Sequence, residues 1–132
     1  MSASITGRYK LGDFQLQSDD VLKDAFIGFR SYGSLNDSRD NVIVFPTWYT
    51  GLNDQVEPYI GSGKALDPKK YFIVIPDMFT NGSSSSPSNA QEMHKGLNFP
   101  LVTPFDNVRA QRRLLEENFG IKSVELMVGF SM

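Results

Sequence analysis

Two uninterrupted apolar runs constrain the fold of this chain more than any other feature of its sequence. Residues 41–46 read NVIVFP and residues 71–76 read YFIVIP, so each run is rich in β-branched and aromatic side chains and ends at a proline. Strands with one face in water alternate apolar and polar residues, whereas strands buried on both faces are apolar throughout. The two runs therefore predict parallel strands that are buried on both faces of a sheet.

The strongest helix signal in the chain begins at Thr103 and ends at Gly120. Thr103 suits the N-cap, Pro104 suits the first helical position, and Asp106 completes a capping-box pair with Thr103. The predicted apolar stripe of this helix consists of Val108, Leu114, Leu115 and Phe119. The run VELMV at 124–128 follows directly and is predicted as a further buried strand. Helix, turn and strand together predict one α/β unit of a parallel sheet.

The chain starts with two segments of alternating pattern. Phe14 and Leu16 alternate with polar residues in the first, and Ala25, Ile27 and Phe29 share one face of the second. Such segments, joined by the turn-forming sequence Ser-Asp-Asp, predict an antiparallel pair with one exposed face. The expected fold class is therefore α/β, with a mostly parallel sheet that has an antiparallel start.

A long connection of irregular sequence separates the second apolar run from the predicted helix. Its polar stretch NGSSSSPSN at 81–89 indicates a surface loop, and long loops in compact domains often carry function. Asp77 stands directly after the strand, where sites gather in α/β proteins, although an aspartate there is more often a turn cap. His94, the single histidine, lies in the same connection and is expected to be solvated.

The sequence GFSM at 129–132 follows the last predicted strand directly. In a G-x-S-x-G nucleophile elbow, small residues flank the serine because the strand-to-helix turn is sharp and strained. That turn lifts the hydroxyl above the carboxyl ends of the strands, and the next helix points its N-terminus at it. Four of the five positions of the pattern are present. Spacing alone leaves Ser131 open to two interpretations, as a nucleophile or as a serine in a surface turn.

Four stretches of the chain stand in a characteristic order, namely Tyr49-Thr-Gly51, residues 60–75, residues 99–103, and residues 106–111 leading to GFSM. In this order and spacing the chain resembles the homoserine O-acetyltransferase family, whose members have the α/β-hydrolase fold. The resemblance covers residues 24–132. It implies that residues 1–132 are the N-terminal portion of one α/β-hydrolase domain, truncated after the nucleophile, with a sheet that is incomplete without later strands.

The resemblance implies a serine acyltransferase with a Ser-Asp-His triad. Ser131 would be acylated by acetyl-CoA and would pass the acetyl group to an acceptor hydroxyl. The backbone N–H groups of Tyr49 and Met132 would form the oxyanion hole, where two preorganised donors stabilise the developing negative charge. In this fold the triad aspartate and histidine follow the serine in the chain, so His94 is not expected to be the base. No tightly bound cofactor and no metal site are expected.

Three departures from the family pattern surround the expected pocket. Gly129-Phe-Ser replaces the usual Gly-Gly-Ser, Thr47-Trp-Tyr49 is bulkier than the usual His-Ala-Leu, and the segment 81–87 is less glycine-rich than in members of the family. The acceptor is therefore left open. Two alternatives to the transferase remain open. The first is an esterase or amidase of the same fold, because water and alcohols attack an acyl group in a similar way. The second is a non-catalytic α/β-hydrolase-like binding protein.

Composition excludes several other function classes. The 132 residues carry 13 Lys and Arg against 15 Asp and Glu, a net charge of -2, which does not suit a protein that neutralises nucleic-acid phosphates. The absence of cysteine excludes a thiolate nucleophile or metal site. The N-terminus has no apolar signal segment and no run is long enough to cross a bilayer, so a cytoplasmic protein is expected. The expected partners are the remainder of the same domain and a small-molecule substrate, and a homodimer is left open.

Overall fold

A five-stranded mixed sheet organises the chain in the computed structural model, which describes residues 3–131. The strands in chain order are β1 (Ser4–Gln15), β2 (Val21–Tyr32), β3 (Val42–Val44), β4 (Phe72–Pro76) and β5 (Leu126–Met127). Their order across the sheet is β1-β2-β4-β3-β5. The pairs β1/β2 and β2/β4 are antiparallel, whereas β3 is parallel to both β4 and β5. This architecture confirms the α/β class with its antiparallel start.

The two apolar runs form the middle of the sheet, as their composition predicts. Every residue of β3 and β4 is buried. Alternate side chains enter two separate hydrophobic clusters, so that Val44 and Val74 face one layer and Ile43 faces the other. The strands are therefore covered on both faces, and their parallel pairing aligns Ile43 with Ile73.

The antiparallel start is a long hairpin. Its turn is closed by the N–H of Leu16, which donates to the carbonyl oxygen of Asp20 at 2.9 Å. The face predicted from the alternation is confirmed, because Ala25, Ile27 and Phe29 are all buried in the larger cluster. That cluster packs this half of the sheet against the helix described next.

Helix α1 (Pro104–Arg113) begins as its capping signals predict. The Thr103 hydroxyl accepts the Asp106 N–H at 3.2 Å, and the Asp106 carboxylate accepts the Thr103 N–H at 2.9 Å. Two donors that a helix N-terminus leaves free are satisfied by this reciprocal pair. The buried Asp106 also accepts the Gln17 N–H at 2.9 Å, which ties the helix to the turn that follows β1.

The second half of the predicted helix differs from a regular α-helix. After α1 the chain continues as a π-helical turn over Leu114–Asn118 and stops at Gly120, whose φ is +66°. The wider π turn places the consecutive Leu114 and Leu115 together in the core. A left-handed residue ends many helices, and glycine adopts this conformation without a Cβ clash, so Gly120 acts as the predicted stop.

Two apolar expectations are wrong at the open side of the sheet. Val108 is 57% exposed rather than part of a buried stripe, and the predicted buried strand 124–128 is reduced to β5, whose two side chains are exposed. Within residues 3–131, β5 pairs only with β3, so its outer edge has no neighbouring strand. Val108 and Met127 line one apolar groove beside this edge, together with Leu115. Local pattern predicts that a segment is apolar but not which strand lies at an edge.

The serine-rich segment is also different from the solvated loop that its composition indicates. Ser84, Ser85 and Ser86 are at most 3% exposed. The Ser84 hydroxyl accepts the Gly28 N–H at 2.9 Å, and the Ser85 hydroxyl accepts the Phe26 N–H at 2.8 Å. Because β4 pairs only with the second half of β2, these hydroxyls satisfy backbone donors that would otherwise be buried without a partner.

Gly28 is the position in β2 where this loop leaves no room for a side chain. A Cβ there would lie 2.8 Å from the Ser83 carbonyl oxygen and 3.0 Å from Asp77 Oδ2. We expect Gly28→Ala to lower the free energy of unfolding by about 1–3 kcal/mol, the usual cost of overpacking, measured by urea titration. Gly61→Ala is the control, because its Cβ would meet only the flexible Lys64 side chain at 3.4 Å. Equal stability of the two variants would contradict the close approach of the loop to β2.

Candidate active site

Ser131, the predicted nucleophile, lies exposed just beyond β5 with a φ of +47°. A non-glycine residue in this left-handed region is strained, and such strain persists where the surrounding structure enforces it. The nucleophile elbow of α/β-hydrolases places its serine on a strained turn after a strand. The backbone of Ser131 therefore has the conformational character of an elbow serine. Met132, the second predicted oxyanion residue, lies outside the described residues.

The loop after β3 brings Tyr49 to the serine. The Tyr49 backbone N–H donates to the carbonyl oxygen of Ser131 at 3.1 Å. The two residues predicted to act on one substrate carbonyl are thus adjacent, although 82 positions separate them in the sequence. In this structure the N–H is paired with the Ser131 carbonyl, so the role of Tyr49 in an oxyanion hole stays a prediction.

The bulky residues that depart from the family pattern contact each other. The Trp48 and Phe130 rings pack edge to face, with their centroids 5.8 Å apart and their planes at 81°. This geometry is a favoured one for aromatic pairs. Each ring stands one position before a predicted site residue, so the pair links the loop that carries Tyr49 to the segment that carries Ser131. The sequence shows both rings but not that they meet.

A surface cleft of about 420 Å³ opens beside Tyr49. Its walls come from three segments, namely residues 48–50 after β3, residues 78–81 after β4, and residues 102–107 at the start of α1. Trp48, Tyr49 and Phe79 line it. The cleft is a candidate substrate site, because it combines aromatic walls with hydroxyl side chains such as those of Thr50 and Thr80.

Asp77 is completely buried below this cleft, so it is not placed to exchange protons with a substrate. Its carboxylate accepts the Asn53 N–H and the Asn81 Nδ2–H group, each at 3.0 Å, and also the Asn53 Nδ2–H group. Burial raises the pKa of the Asp77 carboxyl, and the hydrogen bonds from the two asparagines partly oppose this effect. Sequence reasoning identified Asp77 but missed Asn53 and Asn81, because nothing in the local pattern indicates that they converge on it.

His94 lies on a short 3₁₀ turn, Glu92–His94, and is half-buried rather than solvated. In the described part of the chain its Nε2 atom is buried and has no hydrogen-bond partner. Residues 3–131 contain no group of three His, Cys, Asp or Glu side chains that could hold a metal ion. Within the same residues, no helix combines the length and apolar character needed to cross a membrane.

Comparison with known proteins finds relatives that are named as hydrolases and as acetyltransferases. No family model matches the chain. It is 41% identical over 123 residues to an ethyl acetate hydrolase from Pseudomonas veronii, a match covering 92% of this chain and 35% of that protein. It is 35% identical over 136 residues to a homoserine O-acetyltransferase from Methanosalsum zhilinae, covering 91% of this chain and 27% of the relative.

The structural comparison agrees with the sequence comparison. An acetylester hydrolase from Corynebacterium glutamicum superposes with a TM-score of 0.91 at 37% identity, and the match covers 95% of this chain and 36% of that protein. The chain thus spans about a quarter to two-fifths of the length of the relatives it matches. It belongs to the homologous group of α/β-hydrolase-fold proteins that includes the homoserine O-acetyltransferases and the acetyl esterases.

Proposed function

We propose that this protein transfers an acyl group through an ester on Ser131, as the nucleophile-bearing part of an α/β-hydrolase enzyme. The observation that carries the proposal is the approach of the Tyr49 N–H to Ser131, which itself has the positive φ of an elbow serine. The contact joins the segments that follow the neighbouring parallel strands β3 and β5, and this edge of the sheet is where α/β proteins bind their ligands. The aromatic contact between Trp48 and Phe130 supports the same arrangement.

The proposed reaction has two steps of nucleophilic substitution. In the first, Ser131 Oγ loses its proton to a general base and attacks the ester carbonyl, and the alcohol part of the ester leaves with a proton. The carbonyl oxygen becomes an oxyanion, which the N–H groups of Tyr49 and Met132 stabilise. For this, the Tyr49 N–H must exchange its bond to the Ser131 carbonyl for one to the substrate. In the second step the acceptor gives a proton to the base and attacks the acyl carbon, the bond from that carbon to Ser131 Oγ breaks, and Oγ takes the proton back.

The base and its orienting carboxylate are proposed to lie in the remainder of the same domain, because both follow the serine in this fold. This remainder is also the proposed partner of the exposed edge of β5 and of the apolar groove beside Val108. The triad would therefore be completed across that edge. No residue of the described cleft is assigned the role of the base.

Water is the acceptor that we propose, with a small acetyl ester as the substrate. The support is that an esterase and an ethyl acetate hydrolase found by sequence are 38% and 41% identical to this chain, against 31–36% for the homoserine O-acetyltransferases found in the same way. Acetyl transfer from acetyl-CoA to an acceptor hydroxyl is the second candidate, which the four stretches resembling that family favour.

The nucleophile is tested by intact-mass analysis of the full-length protein after reaction with a fluorophosphonate. We expect one adduct in the wild type and none in Ser131→Ala, because only an activated serine attacks phosphorus rapidly. Ser62→Ala removes another exposed serine hydroxyl and should keep the adduct. A folded wild-type protein that forms no adduct would contradict catalysis by Ser131 and favour the binding protein.

The acceptor is tested by following p-nitrophenyl acetate and acetyl-CoA with and without an added alcohol such as homoserine. A hydrolase should release acetate from the ester at a rate that the alcohol does not change, since water attacks the acyl-serine. It should also leave acetyl-CoA intact over the same period. Consumption of acetyl-CoA that requires the alcohol and yields its acetyl ester would overturn the hydrolase in favour of the transferase.

A further inference from the structure

We infer that Asp77 is a positioning residue for the oxyanion hole, acting through Asn53 and Asn81 on the loop that carries Tyr49. This inference rests on the proposed function, because it requires the Tyr49 N–H to bind the oxyanion. The loop consists of residues 46–53 and is called the Tyr49 loop below. Asp77 touches neither Ser131 nor the substrate cleft in this role; it acts on the backbone that presents the donor.

The first observation is that one carboxylate is joined to the Tyr49 loop at two points. Asp77 Oδ1 accepts the Asn53 N–H at 3.0 Å, which fixes the end of the loop directly. The same oxygen accepts Asn81 Nδ2 at 3.0 Å, and Asn81 Nδ2 also donates to the Gly51 carbonyl oxygen at 3.1 Å. Gly51 and Asn53 both follow Tyr49, so Asp77 restrains the C-terminal side of the loop.

The second observation concerns the other side of Tyr49. The Thr47 N–H donates to the Pro76 carbonyl oxygen at 3.1 Å, and the Thr47 hydroxyl accepts the Met78 N–H at 3.1 Å. Pro76 and Met78 are the residues on either side of Asp77. The segment after β4 therefore holds the Tyr49 loop both before and after Tyr49, and the Gly51 N–H closes the turn between these anchors by donating to the Trp48 carbonyl oxygen at 2.8 Å.

The third observation is that the hydrogen bonds permit only one orientation of each asparagine amide. Arg30 Nε donates to Asn53 Oδ1 at 2.9 Å, so Asn53 Nδ2 must face Asp77. The Ser83 N–H donates to Asn81 Oδ1 at 2.8 Å, so Asn81 Nδ2 also faces Asp77. Every group around the carboxylate is thus a donor. An amide side chain at position 77 would place its own N–H₂ group against one of these donors.

This arrangement bears on catalysis because oxyanion stabilisation depends steeply on geometry. An oxyanion donor is effective at about 2.7–3.1 Å from the charged oxygen, and removing one donor costs about 100- to 1000-fold in kcat. A displacement of about 1 Å of a catalytic group can cost about 100-fold. A buried carboxylate that accepts three hydrogen bonds from two asparagines is a costly feature in a loop. We assign this carboxylate the role of holding the Tyr49 peptide in a rigid position.

The test compares Asp77→Asn with Asp67→Asn in the full-length protein, using p-nitrophenyl acetate. Asp67 is a matched control, because it is 5% exposed and its carboxylate accepts the Gly63 and Lys69 N–H groups at 2.9 and 3.0 Å in a separate turn. We expect both variants to lower Tm. Only Asp77→Asn should lower kcat, by about 10- to 100-fold with KM changed less than about 2-fold, because it moves an oxyanion donor.

A second pair of variants guards against misfolding of Asp77→Asn. Asn81→Ala removes the link to Gly51 but leaves Asn53 in contact with Asp77. Asn89→Ala is its control in the same loop, because Asn89 donates to the Gly82 and Ser84 carbonyl oxygens and these bonds do not reach the Tyr49 loop. Asn81→Ala should slow turnover and fluorophosphonate labelling in parallel, whereas Asn89→Ala should change neither rate per folded molecule.

The outcomes separate this inference from the proposed function. Wild-type turnover through Ser131, with kcat per labelled site unchanged in Asp77→Asn and Asn81→Ala, would overturn the positioning role alone. A loss of kcat that is equal in Asp67→Asn would do the same, since it would show only reduced stability. A wild-type protein without a Ser131 adduct would overturn the proposed function and the positioning role with it.

Discussion

The parallel pairing of β3 with β4 and with β5 is the constraint on which the rest of the structure depends. Parallel strands direct their carboxyl ends to the same edge of a sheet, so the segments that follow three strands must meet there. These segments carry Tyr49, Asp77 and Ser131. No local sequence signal brings the three together. Their proximity is a consequence of strand direction, and the apolar runs are buried on both faces as is usual for parallel strands.

Burial of the central strands also explains the polar cluster at this edge. Backbone groups next to a two-sided core lose contact with water and need partners within the protein. The serines at 84–86 supply such partners to β2, and Asp77 supplies them to the loop after β3. The donors around Asp77 favour the ionised carboxylate and oppose the rise in its pKa that burial causes. The polar cluster therefore stabilises the fold by satisfying buried backbone donors, independently of any role in a site.

Much of this fold could be predicted from short-range patterns, and the remainder depends on contacts across the chain. The apolar runs, the capping pair of Thr103 and Asp106, and the stop at Gly120 act within a few residues, so the sequence displays them directly. The burial of the serines depends on how far β4 extends along β2, which composition does not encode. The exposure of β5 depends on its place at the sheet edge. The same distinction applies to the site residues. Ser131 lies in a recognisable local pattern, whereas no local pattern indicates Asn53 or Asn81.

The two sides of the candidate site differ in how completely they are organised. The Tyr49 loop is anchored to the segment after β4 by hydrogen bonds at Thr47 and at Asn53. Ser131, in contrast, follows a two-residue strand with an exposed edge. The Tyr49 N–H donates to the Ser131 carbonyl oxygen, and in the proposed reaction the substrate replaces this acceptor. Exchanging one carbonyl acceptor for another costs little if the donor stays in place. Because the loop is rigid, the Tyr49 N–H keeps its position during this exchange, and only the backbone at Ser131 has to adjust. The loop is therefore the preorganised part of the candidate site.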